Sequence, residues 1–300
     1  DASLFGPDPS SWPPLSNREG ILAVVGSGIK AVCDFTTEAI SLIKHADKVF
    51  YCVADPVTEV YIKSLSPDAQ DLYVFYSNNK ERYHTYVQMA EVMLREVRKG
   101  LKVVTVYYGH PGVFVLPSHR AVQIARKQGL RAFLVPAVSA LDCLVADVDF
   151  DPSFPGLQIL EATDMLLRKR PILTDRHVVI WQVGCVGNPG YRRQGYLKEN
   201  FAVLLDYLEE FYSPDEEVVH YIGSQFPTVS PVIERIPLSR FRSPEVAKHV
   251  TGISTFYLAP KDCIPYDNDM AQKMGLLSKP LSTPAKPTRA RSYDIYEAKE

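Results

Sequence analysis

Cysteine is scarce and scattered in this chain of 300 residues. Cys33, Cys52, Cys143, Cys185 and Cys263 are odd in number, and no two stand at the CxxC spacing of a zinc knuckle or redox motif. The pattern points to reduced, mostly packed thiols in a cytosolic protein, and to no metal site. Charge of one sign is equally lacking. The 33 Lys and Arg against 35 Asp and Glu leave a formal net charge of -2, so nothing draws the chain to nucleic acid or to an anionic membrane. No apolar run approaches the ~20 residues of a membrane-spanning helix. The first residues have no basic segment followed by an apolar one, so no secretory signal is expected and the predicted location is cytoplasmic. There is no internal repeat and no phosphate-binding Gly-Lys-Ser/Thr.

Apolar material is plentiful: 46% of residues are hydrophobic, which fills one large core or two modest ones. Residues 1–19 carry Pro7, Pro9, Pro13 and Pro14 and read as an irregular arm. Gly20-Ile-Leu-Ala-Val-Val-Gly26 is a short apolar run closed by glycine, the pattern of a buried parallel strand. Helical spacing behind a threonine start signal follows over 36–46, then a second apolar run over 48–53. A helix is predicted over 85–99, with Met89, Val92, Met93 and Val97 at three- and four-residue steps and Gly100 as its stop. Strand 102–108, helix 118–127 and strand 131–135 continue an alternation that predicts a parallel sheet with crossover helices. Later strands (176–183, 217–222, 254–258) lie farther apart around a helix at 200–212. They predict a second α/β lobe in which strand direction need not be uniform. The expected organisation is an arm at 1–19, lobes at 20–141 and 142–262, and a Pro-rich tail at 263–300, disordered or laid across a partner chain.

Chemistry is first signalled by glycine. Gly26-Ser-Gly28-Ile-Lys-Ala31 fits the strand–loop–helix fingerprint of dinucleotide binding, and Asp55 ends the second strand where a ribose carboxylate could stand. An NAD-dependent oxidoreductase is therefore one reading, and an ordinary tight turn is the other. A second loop, Tyr108-Gly-His-Pro-Gly-Val-Phe114, also follows a buried strand, and Pro136-Ala-Val-Ser-Ala140 adds a third permissive turn. Ligands of open α/β sheets bind at that carboxyl edge. Three such turns fit a site between two lobes better than an NAD fold. His110 is as readily a histidine bonding its own turn as a ligand contact.

Taken together, Val25-Gly-Ser-Gly28, Tyr108-Gly-His-Pro-Gly-Val-Phe114, Val138-Ser-Ala140, Gln182-Val-Gly184 and Ser254-Thr-Phe-Tyr257 resemble the tetrapyrrole (precorrin-type) methylase superfamily. Within it, the segment from Tyr73 to Tyr86, Glu96-Val-Arg-Lys-Gly100, Ser118-His-Arg-Ala121, Gln182-Val-Gly-Cys-Val-Gly187 and Val219-His-Tyr-Ile222 resemble the borosin, omphalotin-type, peptide backbone α-N-methyltransferases. The likeness runs from about residue 20 to 262. It implies a two-lobed α/β methylase fold with S-adenosylmethionine in the interlobe cleft and S-adenosylhomocysteine as product. The implied cofactor contacts are Tyr108, His110, Val113, Phe114, Ser139 and Ala140, then Gln182, Gly223, Ser254 and Thr255 from the second lobe. Gly26 and Gly28 then read as a turn that shapes the cleft.

A backbone amide nitrogen is a poor nucleophile because its lone pair is delocalised into the carbonyl. Its methylation needs the N–H proton removed and the charge moving onto oxygen stabilised. Arg82 brings a permanent charge with forked donors. Tyr76 and Tyr86 bring phenols, one of which could act as base if Arg82 and a sulfonium lowered its pKa. Tyr73 would wall and orient the site. The resemblance assigns catalysis to these four, whereas the residues alone leave half-buried tyrosine packing open. His119 and His220 lack the paired spacing of metal ligands. Glu161 and Asp164 read as a solvated face, and Phe75, Phe114 and Trp181 as packing that could also line a hydrophobic site.

Fused members of the resembled family continue into a clasp and a hydrophobic core peptide, and no such aliphatic run stands in Tyr293-Asp-Ile-Tyr-Glu-Ala-Lys-Glu300. The expected activity is therefore methylation of a separate precursor peptide in trans, or by a fragment lacking its core peptide, in a homodimer. The competing readings are a small-molecule methylase acting on a tetrapyrrole or heterocycle, and a non-catalytic peptide-binding module that retains cofactor.

Overall fold

The computed structural model describes residues 19–192 and 199–276. The predicted arm, except Glu19, and the tail beyond 276 lie outside the described residues. The chain divides into two compact units. Among the described residues, the first holds 19–143, 189–192 and 223–230, and the second holds 144–188, 199–222 and 231–276.

The first unit alternates β1 (Ile21–Gly26), α1 (Thr37–Lys44), β2 (Lys48–Cys52), α2 (Pro56–Leu65), β3 (Gln70–Asp71), α3 (Arg82–Arg98), β4 (Lys102–Tyr107), α4 (Leu116–Lys127) and β5 (Arg131–Leu134). Its five strands pair in parallel in the order β3-β2-β4-β1-β5. From β1 the chain steps through β2 to β3 in one direction, then from β3 through β4 to β5 in the other. Right-handed crossovers place helices of opposite steps on opposite faces. One face accordingly buries Leu22, Val24, Phe50 and Val103 against Met89, Met93, Leu94 and Val97 of α3 and Ala121, Val122 and Ala125 of α4. The other buries Ala23, Val25, Val49, Tyr51, Val104 and Val106 against Ala39 and Ile43 of α1 and Ile62 of α2. The period-two alternation of each strand thus feeds two cores, which is why these strands read as unbroken apolar runs.

Local signals set the helix starts. Thr36 Oγ1 accepts from the Ala39 amide at 3.1 Å, and Asp55 Oδ1 accepts from Thr58 at 2.7 Å with Pro56 at the first helical position. Asp55, the candidate ribose carboxylate, is therefore a buried cap of α2.

Arg98, on the last turn of α3, is buried, with Nε donating to Gln128 Oε1 at 3.1 Å and Nη1 paired with Glu91. Removing one partner of a buried ion pair leaves the other charge in low dielectric. Glu91→Ala is expected to destabilise the protein by about 3 kcal/mol in denaturant unfolding. A loss below about 0.5 kcal/mol would reduce the pair to the worth of a surface one.

The second unit contains β6 (Leu157–Glu161), α6 (Ala162–Leu167), β7 (His177–Trp181), α7 (Phe201–Glu209), β8 (Glu217–Ile222), β9 (Val232–Pro237), α8 (Pro244–Ala247), β10 (Thr255–Leu258) and α9 (Asn268–Lys273), while α5 (Ala140–Val148) spans the division. Strand order is β6-β7-β10-β8-β9, with β6 and β7 parallel and the other pairs antiparallel. Val178, Ile180, Val218, Phe256 and Leu258 pack on Leu204, Leu205 and Leu208 of α7 and on Phe241. Of the five cysteines, Cys185 is buried, Cys52 and Cys143 are partly buried, and Cys33 and Cys263 are exposed; all five are free thiols.

Candidate active site

The strands β1 and β4 are adjacent and end level, with Gly26 opposite Tyr107. Their following turns are bonded to each other. The Gly28 amide donates to Gly109 O at 3.3 Å and the Gly109 amide to Gly28 O at 2.9 Å. A Cβ at position 26 would lie 2.0 Å from Gly109 O, so the close approach requires glycine there. Gly28 has φ +72°, and a Cβ would meet Asp34 Cβ at 2.0 Å. The amides of Ile29 and Lys30, the donors a pyrophosphate would take, donate instead to Asp34 Oδ2 at 3.0 and 2.8 Å. The fingerprint therefore holds its own carboxylate, which removes the basis for the dinucleotide reading and favours a ligand without phosphate.

The second turn places Tyr108, His110, Val113 and Phe114 together. Burial raises the Tyr108 phenol above the ordinary range, partly offset by a hydrogen bond with the Gln225 side chain. His110 Nδ1 accepts from the Gly112 amide at 2.9 Å, which fixes the neutral tautomer with hydrogen on Nε2. His110 thus bonds its own turn and still has a donor to offer. Phe114 has φ +61° and is half exposed, an apolar face held in a conformation few side chains adopt. Ser139 caps α5 in a reciprocal box: its amide donates to Asp142 Oδ2 at 2.7 Å and its Oγ accepts from the Asp142 amide at 3.3 Å, with Ala140 first in the helix. Gly223 falls within the first unit, next to Gln225, whose carbonyl accepts from the Ala31 amide at 2.8 Å.

In the second unit, Gln182 follows β7 with φ +60°, and Ser254 and Thr255 lie beside it, Thr255 pairing with Trp181. Ser254 Oγ accepts from the Thr251 amide at 2.8 Å and lies 2.7 Å from His220 Nε2, while His220 Nδ1 is 2.8 Å from Glu234 Oε2. His119 Nε2 lies 2.8 Å from Gly112 O. Both histidines are thus engaged in the fold, and no group of three or more metal-ligating side chains exists among the described residues. Glu161 caps α6, accepting from Thr163 and Asp164, and Asp164 pairs with Arg168 and Arg170.

The predicted tyrosines come together in the first unit, and Arg82 begins the helix that carries Tyr86. A 3-10 turn at Leu72–Phe75 leads into Tyr76, and the Phe75 carbonyl accepts from both Lys80 Nζ (2.6 Å) and Thr85 Oγ1 (3.3 Å). These two hydrogen bonds hold the backbone immediately before Tyr76. The ring of Tyr76 lies 5.0 Å from Tyr73 and, edge-on, 6.3 Å from Tyr86, with a side-chain hydrogen bond to Tyr86. Burial, then the neighbouring Tyr86, hold the Tyr76 phenol well above the ordinary range. Tyr76 is therefore a neutral phenol in the protein without ligand.

Helix α3 starts at Arg82, three residues before the predicted Thr85. The preceding turn is stopped by an isolated bridge of Glu81 with Gly190, and the Arg82 amide donates to Pro189 O at 3.0 Å. Pro189 thus satisfies one of the orphan amides of the first turn, and no side chain caps it. Arg82 is consequently a cation at a helix N-terminus with no acidic residue in the first turn, a placement disfavoured by about 0.3–1 kcal/mol. The same arrangement adds the partial positive charge of the helix end to the guanidinium, which suits an oxygen gaining negative charge. Sequence reasoning missed Tyr191, which joins this cluster from more than a hundred residues away: its phenol oxygen is 2.6 Å from that of Tyr73, and its ring centroid is 4.8 Å from that of Tyr76. A lone tyrosine after Pro-Gly carries no local signal for that role.

A family model for tetrapyrrole (corrin/porphyrin) methylases matches residues 22–221. The chain is 48% identical over 260 residues to the methyltransferase/ribosomally synthesized cyclic peptide omphalotin A precursor of Omphalotus olearius, covering 87% of this chain and 62% of that protein. It is 50% identical over 244 residues to the dendrothelin A precursor of Dendrothele bispora, covering 81% and 58%. It is 49% identical over 278 residues to the type III borosin cyclic peptide precursor of Anomoporia bombycina, covering 92% and 32%. The chain spans less than two thirds of the length of each of these relatives. Among solved structures, uroporphyrin-III-C-methyltransferase from Thermus thermophilus superposes with a TM-score of 0.56 at 14% identity, over 80% of this chain and 92% of that one. Diphthine synthase does so at 0.54 and 14% identity, over 81% and 91%. These two establish the fold. With the family model spanning both units, the chain belongs to the tetrapyrrole (corrin/porphyrin) methylases, and within that family it is similar to the methyltransferase precursors of borosin peptides.

Proposed function

We propose that this protein methylates backbone amide nitrogens of a ribosomally made precursor peptide, using S-adenosylmethionine. The observation that carries the reading is the convergence of Tyr73, Tyr76 and Tyr86 at the start of a helix headed by Arg82, in a chain similar to borosin precursors. A methylase acting on an already nucleophilic carbon or nitrogen has no evident need of that cluster.

The donor set fits the proposed cofactor. The Asp34 carboxylate fills the only phosphate-type cradle of the first glycine turn, and S-adenosylmethionine is a nucleoside without phosphate. Tyr108, His110 and the half-exposed Phe114 would offer polar and apolar contacts from the second turn, and Ser139 and Ala140 from the third. When bound, the cofactor supplies an electrophilic methyl group whose bond to sulfur breaks as the bond to nitrogen forms. The protein must then act on the acceptor. Arg82 would hold the amide oxygen and stabilise the charge drawn onto it. Tyr76 or Tyr86 would take the N–H proton, its phenol brought into range by positive charge on Arg82 and the bound sulfonium. Tyr73 would bound the position of the peptide.

Mass spectrometry of a precursor peptide incubated with the protein and S-adenosylmethionine tests this. Increments of one methyl group located on backbone nitrogens, with S-adenosylhomocysteine formed, are expected. Methylation confined to side chains, or turnover only of a tetrapyrrole, would move the activity to the small-molecule side of the family.

A further inference from the structure

The phenol array has a fourth member that no resemblance assigned. We infer that Tyr191 is a positioning residue for methyl transfer, holding the rings of Tyr76 and Tyr73 in place; this rests on the proposed peptide N-methylation.

Three backbone hydrogen bonds clamp the segment Pro189-Gly190-Tyr191 to the turn before α3. The Asn79 amide donates to Tyr191 O (3.0 Å), the Tyr191 amide to Lys80 O (2.9 Å) and the Arg82 amide to Pro189 O (3.0 Å). The position of Tyr191 is therefore in register with that of Arg82, and Arg82 Nε also reaches Pro189 O at 3.4 Å. From that anchored backbone the Tyr191 side chain makes two contacts of different kinds. Its ring lies 4.8 Å from Tyr76 at 42°, and 5.9 Å from Tyr73 at 88°, both within the range of favourable aromatic pairing. Its hydroxyl shares a hydrogen bond of 2.6 Å with the Tyr73 hydroxyl.

Tyr76 thus has Tyr191 and Tyr73 close by and the edge of Tyr86 as a further neighbour. Removing the Tyr191 ring opens one flank of Tyr76 to water and frees its torsion. A reacting group displaced by about 1 Å can cost ~100-fold in rate. Water on that flank also weakens the desolvation that keeps the phenol protonated, so its titration moves down toward the ordinary range. Tyr191→Phe keeps the ring and removes only the hydroxyl, which separates the two contacts.

The test uses the full chain, a precursor peptide and S-adenosylmethionine, with wild type, Tyr191→Phe and Tyr191→Leu compared in parallel. For Tyr191→Leu, kcat should fall about 10- to 100-fold, while KM for the peptide and affinity for S-adenosylhomocysteine stay within about twofold. Tyr191→Phe should retain kcat to within about fivefold. A 3-fluorotyrosine placed at position 76 should titrate at lower pH in Tyr191→Leu than in wild type, and unchanged in Tyr191→Phe. Wild-type kcat in Tyr191→Leu overturns the proposal. So does a loss of cofactor affinity and thermal stability in proportion to the loss of rate, because Tyr191 is then only structural. A wild-type chain that methylates no backbone amide overturns the functional reading itself, and the inference with it.

Discussion

Replacing Arg82 with alanine is expected to lower peptide turnover by about 100- to 1000-fold, the loss typical of one preorganised donor to a developing oxyanion. Affinity for S-adenosylhomocysteine should stay within about twofold, because the residue acts on the acceptor in the proposed site. The placement of Arg82 supports so large an effect. It is the first residue of a 17-residue helix with no acidic side chain in its first turn, so its charge adds to that of the helix end. A merely structural arginine would gain from sitting at the other end, where Arg95 and Arg98 sit. Arg82→Lys retains charge but not the planar fork and should recover only part of the rate. Single-turnover assays with saturating cofactor measure these losses directly. Turnover within about twofold of wild type in Arg82→Ala would take Arg82 out of the mechanism.

The second large effect concerns the phenol that takes the proton. Loss of a general base costs about 100- to 10,000-fold, and Tyr76→Phe is expected to fall in that range if Tyr76 is the acceptor. The pH dependence identifies it. A base acts in its deprotonated form, so the rate rises with pH. Burial and Tyr86 hold Tyr76 above the ordinary phenol range in the free protein. The profile of kcat/KM, which reports the free protein, should therefore still be rising at about pH 10. The profile of kcat reports the ternary complex, where in the proposed site Arg82 and a bound cation would oppose the effect of burial, and its limb should lie at lower pH. In Tyr76→Phe that limb disappears. If it persists and disappears in Tyr86→Phe instead, the proton goes to Tyr86.

Much of the first unit was readable because its signals are local. β1, β2, β4 and β5 are short, mostly apolar runs that end at turns, and α3 and α4 carry long apolar periods; all lie within a few residues of the expected spans. The elements that went unread are short or half exposed. β9 at Val232–Pro237 is an edge strand with little burial, so it has no apolar run to show. β3 has two residues, and α2 starts from a cap at Asp55, a residue that the sequence offered only as a ribose contact.

The sequence by itself determined that the chain is an α/β protein with glycine turns after the strands that end near Gly26 and Tyr108, and it placed arginine and tyrosines of the right chemistry within one short stretch. Spacing along the chain is enough for that, because strands, turns and helix faces are built from near neighbours. Only the tertiary structure decided what those groups meet. Asp34 satisfies the amides of the first glycine turn, and Pro189 starts α3 at Arg82 rather than three residues later. Tyr191 reaches Tyr73 and Tyr76 across more than a hundred residues. Such contacts are set by how layers pack and where a distant segment returns, and the physical reason they are silent in sequence is that neither partner needs a distinctive neighbour to make them.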